Sequence, residues 1–574
     1  MDRILSSLVD DLLNKQEILR ETDDNNFEYF SNYVLVTEEL KKDFDLSIVN
    51  TGSGDDTGID GIAIIINGQF VESTDDVEYF AENFEYFDVT YIFIQTKNTN
   101  KFEGKEINNF SFGLMDFFSD RHKLRRNENI EYVNEISNLV FAQAPKFNHN
   151  PVCKLFYVTT GTYQIDQNNE AIKNTTIETL MSLNLFSSVS FSFLGSNELI
   201  KIYRNLNNKV SVPILFQERV TLPEIDGIKE SFLGIIPLSE FSKLIVDENN
   251  NLRNIFYDNI RDFQGLRNPV NTQIEKTLKT AQPEIFTILN NGITVVANDL
   301  KSTGNKFTVI DYQIVNGCQT SNVLYEYIKN TNYVDFTIPL KLIVTSNEDI
   351  KNKITIATNS QTAIKHEQLQ AMTDFQKNLE QYYTTTQGDT KLYYERRTGQ
   401  YQTDNTIIKA RIINIQNQIK SFSTFYYENP DRVTTYFGYI VKQFIEVDNP
   451  KIFNEQHQLL LYYTAGLAYY RLETFFKSKI LDSKYRKIKF FVLMLFRKLI
   501  QKEMLLQTYM NSTRKVDEYC NPIILILEDR VKSIDYFSKA IDIIDKSGQD
   551  INDKQLIKQT IFTTSLIDTY KKYY

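Results

Sequence analysis

Hydrophobic and polar positions alternate along this chain with two different periods, so the pattern predicts a mixture of helices and strands. Residues 1–45 repeat apolar side chains at nearly 3.6-residue spacing, which predicts two helices. Residues 59–66 and 89–95 are short, β-branched apolar runs that predict strands, and Asn67-Gly68 after the first run predicts a hairpin turn. The same reasoning adds helices over 104–118 and 129–141 and a buried strand over 155–159.

The second half of the chain divides into an α/β stretch and a helical stretch. Between 225 and 375 short strands alternate with helices, with strands predicted over 232–236, 292–297, 307–314 and 338–344 and helices over 319–327 and 350–358. From about 405 onward the pattern predicts helices almost throughout, over 407–422, 456–477, 487–509 and 523–544. We therefore predict a mixed α/β, multidomain protein whose C-terminal third is all-helical.

Length and composition narrow the class of protein. The chain has 574 residues, of which 42% are hydrophobic and 24% charged, as in an ordered globular protein with several domains. Its longest apolar run, 490–496, is far too short to cross a bilayer, and its three cysteines are widely spaced, which fits a reducing compartment. We therefore expect a cytoplasmic protein without a membrane partner.

Charge is distributed unevenly around a net charge of −11. Residues 1–100 hold 22 acidic and six basic side chains. Residues 477–502, in contrast, hold nine basic side chains and one acidic side chain. This basic stretch is a candidate phosphate-facing surface, and the alternative interpretation is the ordinary solvated face of a helix.

A carboxylate and a lysine are predicted to meet at one edge of a small N-terminal sheet. Asp60 begins the first predicted strand, and Gln95 and Lys97 end the second. Because alternate residues of a strand share a face, Gln95 and Lys97 should lie on one face and Thr96 on the other. Phosphodiester hydrolysis needs oxygen ligands for a divalent metal and a cation near the attacking water. Asp60, Gln95 and Lys97 supply both.

The order Asp60, then Gln95-x-Lys97, resembles the PD-(D/E)xK nuclease fold in its Mrr-like form, in which Gln replaces the second acid. The resemblance covers about residues 20–120 and implies a restriction-endonuclease-like α/β domain. It implies an Mg²⁺- or Mn²⁺-dependent endonuclease with Asp60, Gln95, Lys97 and Glu28 as catalytic residues and Asp60, Gln95 and Glu28 as metal ligands. On the alternative interpretation Asp60 caps a turn, Lys97 ends an edge strand and the site is degenerate.

Amide and glycine residues cluster at the ends of predicted strands in the centre of the chain. Such groups, together with an arginine, suit a polar, planar, phosphate-bearing ligand such as a nucleotide or a nucleic-acid segment. The candidate ligand-binding residues are Asn291, Gly292, Asn316, Gly317, Gln319, Thr320, Asn359, Gln361 and Arg396. The alternative is that the Asn-Gly pairs are turns with positive φ and that the amides satisfy buried backbone groups.

These central segments resemble the AIPR family, the abortive-infection phage-resistance proteins of bacteria. The family's NNGI, IVNG-Q-T, N-S-Q and Y-E-R segments correspond here to Asn290–Ile293, Ile314–Thr320, Asn359–Gln361 and Tyr394–Arg396. The resemblance spans about 225–400 and implies antiviral defence, and an Mrr-like nuclease is a frequent N-terminal companion. Together the two resemblances predict a nuclease domain over 1–205, an AIPR α/β core over 206–404 and a helical domain over 405–574.

The function we expect from the sequence is a metal-dependent nuclease of bacterial anti-phage defence. Its partner is expected to be nucleic acid, with DNA favoured over RNA, and a phage-derived trigger and a homodimer are left open. The alternative is a non-catalytic AIPR binding or sensor protein. It would recognise a nucleic-acid, nucleotide or phage-protein ligand and keep the nuclease fold as a scaffold.

Overall fold

The structure is a computed structural model that forms two compact units. One unit combines Met1–Tyr203 with Thr373–Tyr574, and the other is Arg204–Met372. The structure describes the chain except residues 41–43, 53, 55, 120, 208–209, 248–249, 251, 254, 256–275, 279–282, 331–332, 359–372, 397–399, 402–403, 405, 436 and 446–449. The predicted division into 1–205, 206–404 and 405–574 stays a prediction.

The N-terminal segment is a mixed α/β structure, as predicted. In chain order its elements are α1 (Arg3–Lys15), α2 (Asp23–Leu40), α3 (Leu46–Val49), β1 (Gly61–Ile66), β2 (Gln69–Phe70), α4 (Thr74–Asn83), β3 (Val89–Lys97), α5 (Gly104–Phe117), α6 (Glu128–Ala142), β4 (Val152–Thr159), α7 (Gln167–Ser182), β5 (Ser188–Leu194) and α8 (Ser196–Asn207). The predicted helices and strands of this segment are therefore confirmed.

The N-terminal sheet has the strand order β2-β1-β3-β4-β5. β1 runs antiparallel to β3, with Gly61 opposite Ile94, whereas β3, β4 and β5 are parallel. Asn67 and Gly68 have φ values of 51° and 70°, as a two-residue hairpin turn requires, so the predicted turn is confirmed. Helix α4 was not predicted; Ser73 begins it through a capping box.

The second unit is a six-stranded sheet with helices at its strand ends, in the part of the chain that the structure describes. In chain order its elements are β6 (Ser211–Leu215), β7 (Glu218–Thr221), β8 (Glu230–Pro237), α9 (Leu238–Ile245), α10 (Phe286–Leu289), β9 (Ile293–Thr303), β10 (Lys306–Asn316), α11 (Cys318–Asn330), β11 (Thr337–Val344) and α12 (Glu348–Thr358). The strand order is β6-β10-β9-β11-β8-β7, and β9 pairs antiparallel with β10 and parallel with β11. The predicted alternation of strands and helices is confirmed.

The C-terminal segment is mainly helical. In chain order its elements are α13 (Asp374–Thr384), β12 (Tyr393–Glu395), β13 (Ile412–Asn414), α14 (Ile415–Tyr427), α15 (Pro430–Thr435), α16 (Phe437–Phe444), α17 (Leu459–Lys477), α18 (Lys489–Ile500), α19 (Thr513–Glu528), α20 (Arg530–Ser547), α21 (Lys554–Ile557) and α22 (Thr560–Tyr573). Short 3₁₀ helices occur in all three segments of the chain. They cover Ala144–Lys146, Pro283–Ile285, Gly388–Thr390, Lys409–Arg411, Ser483–Ile488 and Gln507–Tyr509.

Three predicted C-terminal helices have different bounds in the structure. The helix predicted over 407–422 begins only after β13, which pairs with β12. The helix predicted over 487–509 ends at Ile500. The helix predicted over 523–544 is divided at Asp529, because the Asp529 carboxylate accepts hydrogen bonds from the backbone N–H groups of Val531 and Lys532 and so begins a new helix.

Ion pairs join the C-terminal helices to the N-terminal segment within the same compact unit. Arg486 contacts Asp45, and its Nη2 lies 2.6 Å from Glu473 Oε2, while Lys489 Nζ lies 2.7 Å from Glu473 Oε1. Burial favours a raised pKa for Glu473, but the charges of Arg486 and Lys489 outweigh burial and hold that pKa below its ordinary value. The carboxylates therefore stay ionised and tie α17 and α18 to the α3 region.

Four of the nine bases in the stretch 477–502 form such internal pairs. Arg497 is fully buried and contacts Glu428, and Lys498 Nζ lies 2.6 Å from the same carboxylate. Together with Arg486 and Lys489 of the network above, these bases have acidic partners inside the protein. For these four residues the interpretation as a phosphate-facing surface is therefore wrong.

Loss of Arg486 should destabilise the protein strongly. In Arg486→Ala the half-buried carboxylates of Asp45 and Glu473 lose their shared partner, so we expect the free energy of unfolding to fall by about 3 kcal/mol. Urea denaturation of the full chain measures this loss. The control is Arg514→Ala, since Arg514 pairs with Glu518 on an exposed face and its loss should leave the free energy of unfolding nearly unchanged. Equal losses in the two variants would contradict the structural role assigned to the network.

Candidate functional site

The Asp60 carboxylate is buried at the start of β1 and is held by the end of β3. Its Oδ2 accepts hydrogen bonds from the Thr96 backbone N–H at 2.6 Å, the Thr96 hydroxyl at 2.9 Å and Gln95 Nε2 at 2.5 Å. No described residue donates a hydrogen bond to Asp60 Oδ1. One oxygen of the carboxylate therefore fixes its position, and the other is available to a ligand.

Glu28 on α2 brings a second carboxyl group to the same place. It is half-buried, and it has no hydrogen bond or ion pair to any described residue. Burial, followed by the negative charges of Asp60 and Asp56, raises the pKa of Glu28 to about 9, and the charge of Lys97 opposes this shift. Glu28, Asp56, Asp60 and Lys97 are therefore close enough to interact electrostatically.

Burial also raises the pKa of Asp60, to about 6. The Thr96 hydrogen bonds and the charge of Lys97 lower this pKa, whereas the charge of Asp56 raises it. The Lys97 ammonium is partly exposed and lies 3.7 Å from Glu106 Oε2, so it is not held by a tight ion pair. The site therefore holds an excess of acidic groups with one loosely held cation beside them.

All four residues predicted for the hydrolytic centre, Glu28, Asp60, Gln95 and Lys97, lie in this site. Gln95 differs in orientation from a metal ligand, because its amide NH₂ faces Asp60 and its Oε1 lies beside Gly58 and Asn109.

Thr96 does not point away from the site. The β1–β3 register places Asp60 opposite Gln95, at the edge of the sheet where both faces of β3 can reach it. The Thr96 hydroxyl therefore contacts the carboxylate from the other face.

Asn32 is a supporting residue that the sequence did not indicate. Its Nδ2 donates to Asn50 Oδ1 and to the Asp60 carbonyl oxygen, both at 3.0 Å. A Cβ at Gly61 would lie 2.4 Å from Asn32 Oδ1, so glycine is needed there for this close approach. The four-residue spacing between Glu28 and Asn32 places both on one face of α2, which is the signal that could have indicated it.

Two helices hold the loop that carries Asp56 and precedes Asp60. A Cβ at Gly113 of α5 would lie 2.0 Å from the Thr57 carbonyl oxygen, so the loop packs directly on that helix. Before α6, Asn127 Nδ2 donates to the carbonyl oxygens of Thr51 and Gly54, at 2.9 and 3.0 Å. The loop is therefore fixed between α5 and the beginning of α6.

The donor set fits a small hard cation. Mg²⁺ is usually bound through one or two carboxylates and keeps several of its waters. Glu28 and Asp60 Oδ1 offer two carboxylates, and the Gln95 amide could add an oxygen after rotation. Among the described residues no group of three or more His, Cys, Asp and Glu side chains could hold a metal ion, so a site with more carboxylates is not formed there.

The candidate residues between 291 and 320 form one cluster at an end of the β9–β10 hairpin. Asn316 pairs with Thr294, which brings the Asn290–Gly292 segment next to the beginning of α11. Asn290 Nδ2 donates to Thr320 Oγ1 at 3.2 Å, and Gly292 N donates to Asn290 Oδ1 at 2.9 Å. The cluster contains Asn291, Gly292, Asn316, Gly317, Gln319 and Thr320.

Positive φ values explain both glycines of this cluster. Gly292 has φ of 87° and Gly317 has φ of 97°, and a Cβ at Gly317 would lie 2.8 Å from Ile293 Cγ1. Both turns therefore need glycine for the backbone alone, which agrees with the alternative interpretation. A ligand-binding role for the neighbouring amides stays a prediction.

The remaining candidates are Asn359, Gln361 and Arg396. Asn359 and Gln361 lie outside the described residues. Arg396 belongs to the other compact unit, where its side chain is buried and its Nε lies 2.7 Å from Glu380 Oε2. Arg396 therefore has an internal acidic partner, and its role in ligand binding also stays a prediction.

Comparison with known families identifies the class of protein. The model of the AIPR protein family matches residues 256–551. Because this region is more than half of the chain, the chain belongs to the AIPR family. Membership indicates a role in abortive infection, an anti-phage defence. No curated protein and no solved structure gives a significant match.

The family match changes the extent of the predicted resemblance. It begins later than residue 225 and continues beyond 400 through the C-terminal helices to 551. The matched residues therefore belong to both compact units. In the described part of the chain, no helix has the length and apolarity needed to cross a bilayer.

Removing the Glu28 charge should stabilise the protein at alkaline pH. Glu28 ionises near 4.5 in the unfolded chain and near 9 in the folded protein, so its contribution to the free energy of unfolding falls as pH rises between these values. We expect Glu28→Gln to be more stable than wild type by over about 1 kcal/mol at about pH 8 and similar to it near about pH 5. Urea denaturation at the two pH values measures the difference.

The matched control is Glu178→Gln, because Glu178 lies exposed on α7. This control should change the free energy of unfolding little at either pH. A Glu28→Gln variant that is less stable than wild type at the alkaline pH would show that the Glu28 carboxylate is stabilised in the folded protein, against the environment described above.

Proposed function

We propose that this AIPR protein is a metal-dependent nuclease whose hydrolytic centre is formed by Glu28, Asp60, Gln95 and Lys97. The proposal is supported by the arrangement of the N-terminal sheet, in which an antiparallel β1–β3 pair continues into parallel strands. It is also supported by the position of all four side chains at one sheet edge. The biological context is the anti-phage defence that family membership indicates.

The observation that carries the proposal is the unpaired carboxyl group of Glu28. Burying a carboxylate without a partner is costly, and two neighbouring acids increase that cost. Elsewhere in this unit half-buried acids such as Asp45 and Glu473 have cationic partners. Glu28 has none among the described residues, although the charges of Asp60 and Asp56 act on it, as expected of a group that binds a cation.

The side chains have separate roles in the proposed reaction. Glu28 and Asp60 would hold Mg²⁺ or Mn²⁺, which when bound polarises the phosphoryl group and lowers the pKa of water. Thr96 and Asn32 keep Asp60 in position through its Oδ2 and its backbone carbonyl. Lys97 is free to approach a phosphoryl oxygen and offset its negative charge, because Glu106 holds it only loosely.

A binding protein with a degenerate nuclease fold is the second candidate. The Gln95 orientation favours it, since the amide already donates to Asp60 and stabilises the carboxylate without a metal. On this reading the central amide cluster recognises the ligand, and the N-terminal unit is a scaffold. The two candidates differ in whether Lys97 is needed for any chemical step.

The proposal also covers the compartment in which the protein acts, its nucleic-acid partner, its trigger and its oligomeric state. The protein would act in the cytoplasm on nucleic acid, with DNA favoured over RNA, after a phage-derived trigger. A homodimer would bring two hydrolytic centres into one assembly. The amide cluster around Asn291 and Asn316 would bind a nucleotide or nucleic-acid segment, as the sequence suggested.

Substitution of Lys97 should abolish cleavage and preserve the fold. We expect Lys97→Ala to lower metal-dependent cleavage at least about a hundredfold, because the charge next to the phosphoryl group is lost. The assay compares plasmid DNA, linear DNA and total RNA with Mg²⁺ or Mn²⁺, using purified full-length protein and extract of infected cells. Lys101→Ala is the control, since Lys101 is exposed four residues later.

Loss of cleavage in Lys97→Ala with full cleavage in Lys101→Ala would support the nuclease. Anti-phage protection by the two variants in cells provides an independent result. Full protection by Lys97→Ala would exclude nuclease chemistry from the defence function and leave the binding protein as the better account.

A further inference from the structure

One exposed face of α5 lies beside the hydrolytic centre and has an unusual composition. Its exposed residues are Lys105, Asn108, Asn109 and Phe112, which recur at intervals of three and four and therefore form one stripe along the helix. The Phe112 side chain is 53% exposed, although the rest of the stripe is polar. A large aromatic ring left in water among amides is a feature that folding does not require.

The stripe is in contact with the loop that leads to Asp60. A Cβ at Gly58 would lie 3.4 Å from the backbone of Asn109. Gly113, next to Phe112, packs on Thr57 from the same helix. The exposed face of α5 therefore continues directly from the loop that positions the acidic groups of the site.

The stripe leads towards a basic loop at the far end of α5. Residues 121–126 have the sequence Arg-His-Lys-Leu-Arg-Arg and contain no acid. Arg121, Lys123 and Arg125 are exposed and have no acidic partner among the described residues, unlike Arg486 and Arg497 of the stretch 477–502. We call residues 121–126 the basic loop. Its exposed basic side chains are available to a ligand, whereas the paired bases described above are not.

Buried interactions hold the basic loop in place. Asp116 Oδ1 accepts hydrogen bonds from the backbone N–H groups of Lys123 and Leu124, at 2.6 and 3.2 Å. Arg126, which is buried, pairs with the same carboxylate at 3.2 Å. The Asp116 carboxylate therefore interacts with the loop's backbone and with Arg126. The side chains of Arg121, Lys123 and Arg125 remain exposed to solvent.

The described acidic groups that follow the loop do not neutralise it. Glu128 and Glu131 lie in the first turn of α6, just after the loop, and both are exposed. Neither forms an ion pair with the exposed bases. Acids in the first turn of a helix interact favourably with the helix dipole, which accounts for their presence there.

We propose that the α5 stripe and the basic loop bind a single-stranded nucleic acid and direct it into the hydrolytic centre. The sugar-phosphate backbone contacts Arg121, Lys123 and Arg125, an unpaired base stacks on Phe112, and the amides of Asn108 and Asn109 hydrogen-bond neighbouring bases. This inference rests on the proposed function, since it names the substrate class of that site.

Single-stranded nucleic acid fits the surface better than other polyanions. A base paired inside a duplex has no free face for Phe112, whereas every unpaired base offers one, and stacking together with phosphate contacts is the common mode of single-strand binding. The chain's net charge of −11 opposes general attraction to polyanions. A local cluster of basic side chains without acidic partners is therefore needed beside the site to hold one.

The test measures binding without metal, so that it does not depend on cleavage. Fluorescence anisotropy follows full-length protein binding to labelled 30-nucleotide single strands of DNA and RNA, to the corresponding duplexes and to anionic phosphatidylserine vesicles. The variants are Arg121→Ala/Lys123→Ala/Arg125→Ala, Phe112→Ala and, as a control of equal charge change, Lys502→Ala/Lys571→Ala/Lys572→Ala. The three control lysines are exposed and lie in the C-terminal segment.

We expect the two experimental variants to differ in how the affinity for single strands depends on salt. The basic-loop variant should bind single strands at least about tenfold more weakly and flatten the log–log salt dependence by about two units. Phe112→Ala should weaken single-strand binding about tenfold and leave the salt slope unchanged. The control triple variant should stay within about twofold of wild type.

Several results would overturn the inference. They are equal binding by the basic-loop variant and the control, binding of duplexes or vesicles in preference to single strands, or a Phe112→Ala variant that binds as wild type does. The nuclease proposal is tested separately, by the cleavage assay that compares Lys97→Ala with Lys101→Ala. If the variants bind as predicted but the protein shows no cleavage, the binding surface is supported and only the nuclease proposal is rejected.

Discussion

The free-energy cost of burying the Asp60 carboxylate is the constraint on which the candidate site depends. Such a group is tolerated only where hydrogen bonds replace its lost water, and the end of β3 provides three donors to a single oxygen. Asn32 holds the carbonyl of the same residue, and Gly61 leaves room for that contact. The other carboxylate oxygen has no donor among the described residues, and the negative charge of Asp60 acts on Glu28, for which no such compensation is present among them.

The C-terminal helices complete the unit that carries this site. Glu17, between α1 and α2, accepts hydrogen bonds from Arg411 at 2.8 Å and Tyr470 at 2.7 Å, and Lys558 pairs with Asp75 at 2.9 Å. These contacts add to the network around Arg486. The part of the AIPR match beyond residue 372 therefore lies in the same compact unit as the proposed hydrolytic centre.

Local patterns predicted most of the elements, because strand and helix periods and the Asn67-Gly68 turn depend on neighbouring residues. They also indicated Asp60, Gln95 and Lys97, whose spacing follows from the alternation of a strand. They could not predict contacts between distant segments. Thr96 reaches Asp60 because the carboxylate lies at the sheet edge, and Arg486 and Arg497 are occupied because Asp45 and Glu428, which are distant in sequence, contact them.

The sequence allowed two interpretations of the central segments, ligand binding or turns with positive φ. The structure accounts for the glycines of these segments. The glycines at 292 and 317 are accounted for by backbone conformation alone. The amides beside them have polar contacts that hold the turns, as between Asn290 and Thr320.

The central claim is that Glu28 and Asp60 form a cation site, and isothermal titration calorimetry with Mn²⁺ tests it most directly. The account predicts saturable binding of Mn²⁺ to the full-length protein, competition by Mg²⁺, and loss of binding in Glu28→Gln and Asp60→Asn while Lys97→Ala binds at least as tightly as wild type. Binding of Mn²⁺ that is unchanged in both carboxylate variants, or absent from the wild-type protein, would contradict it.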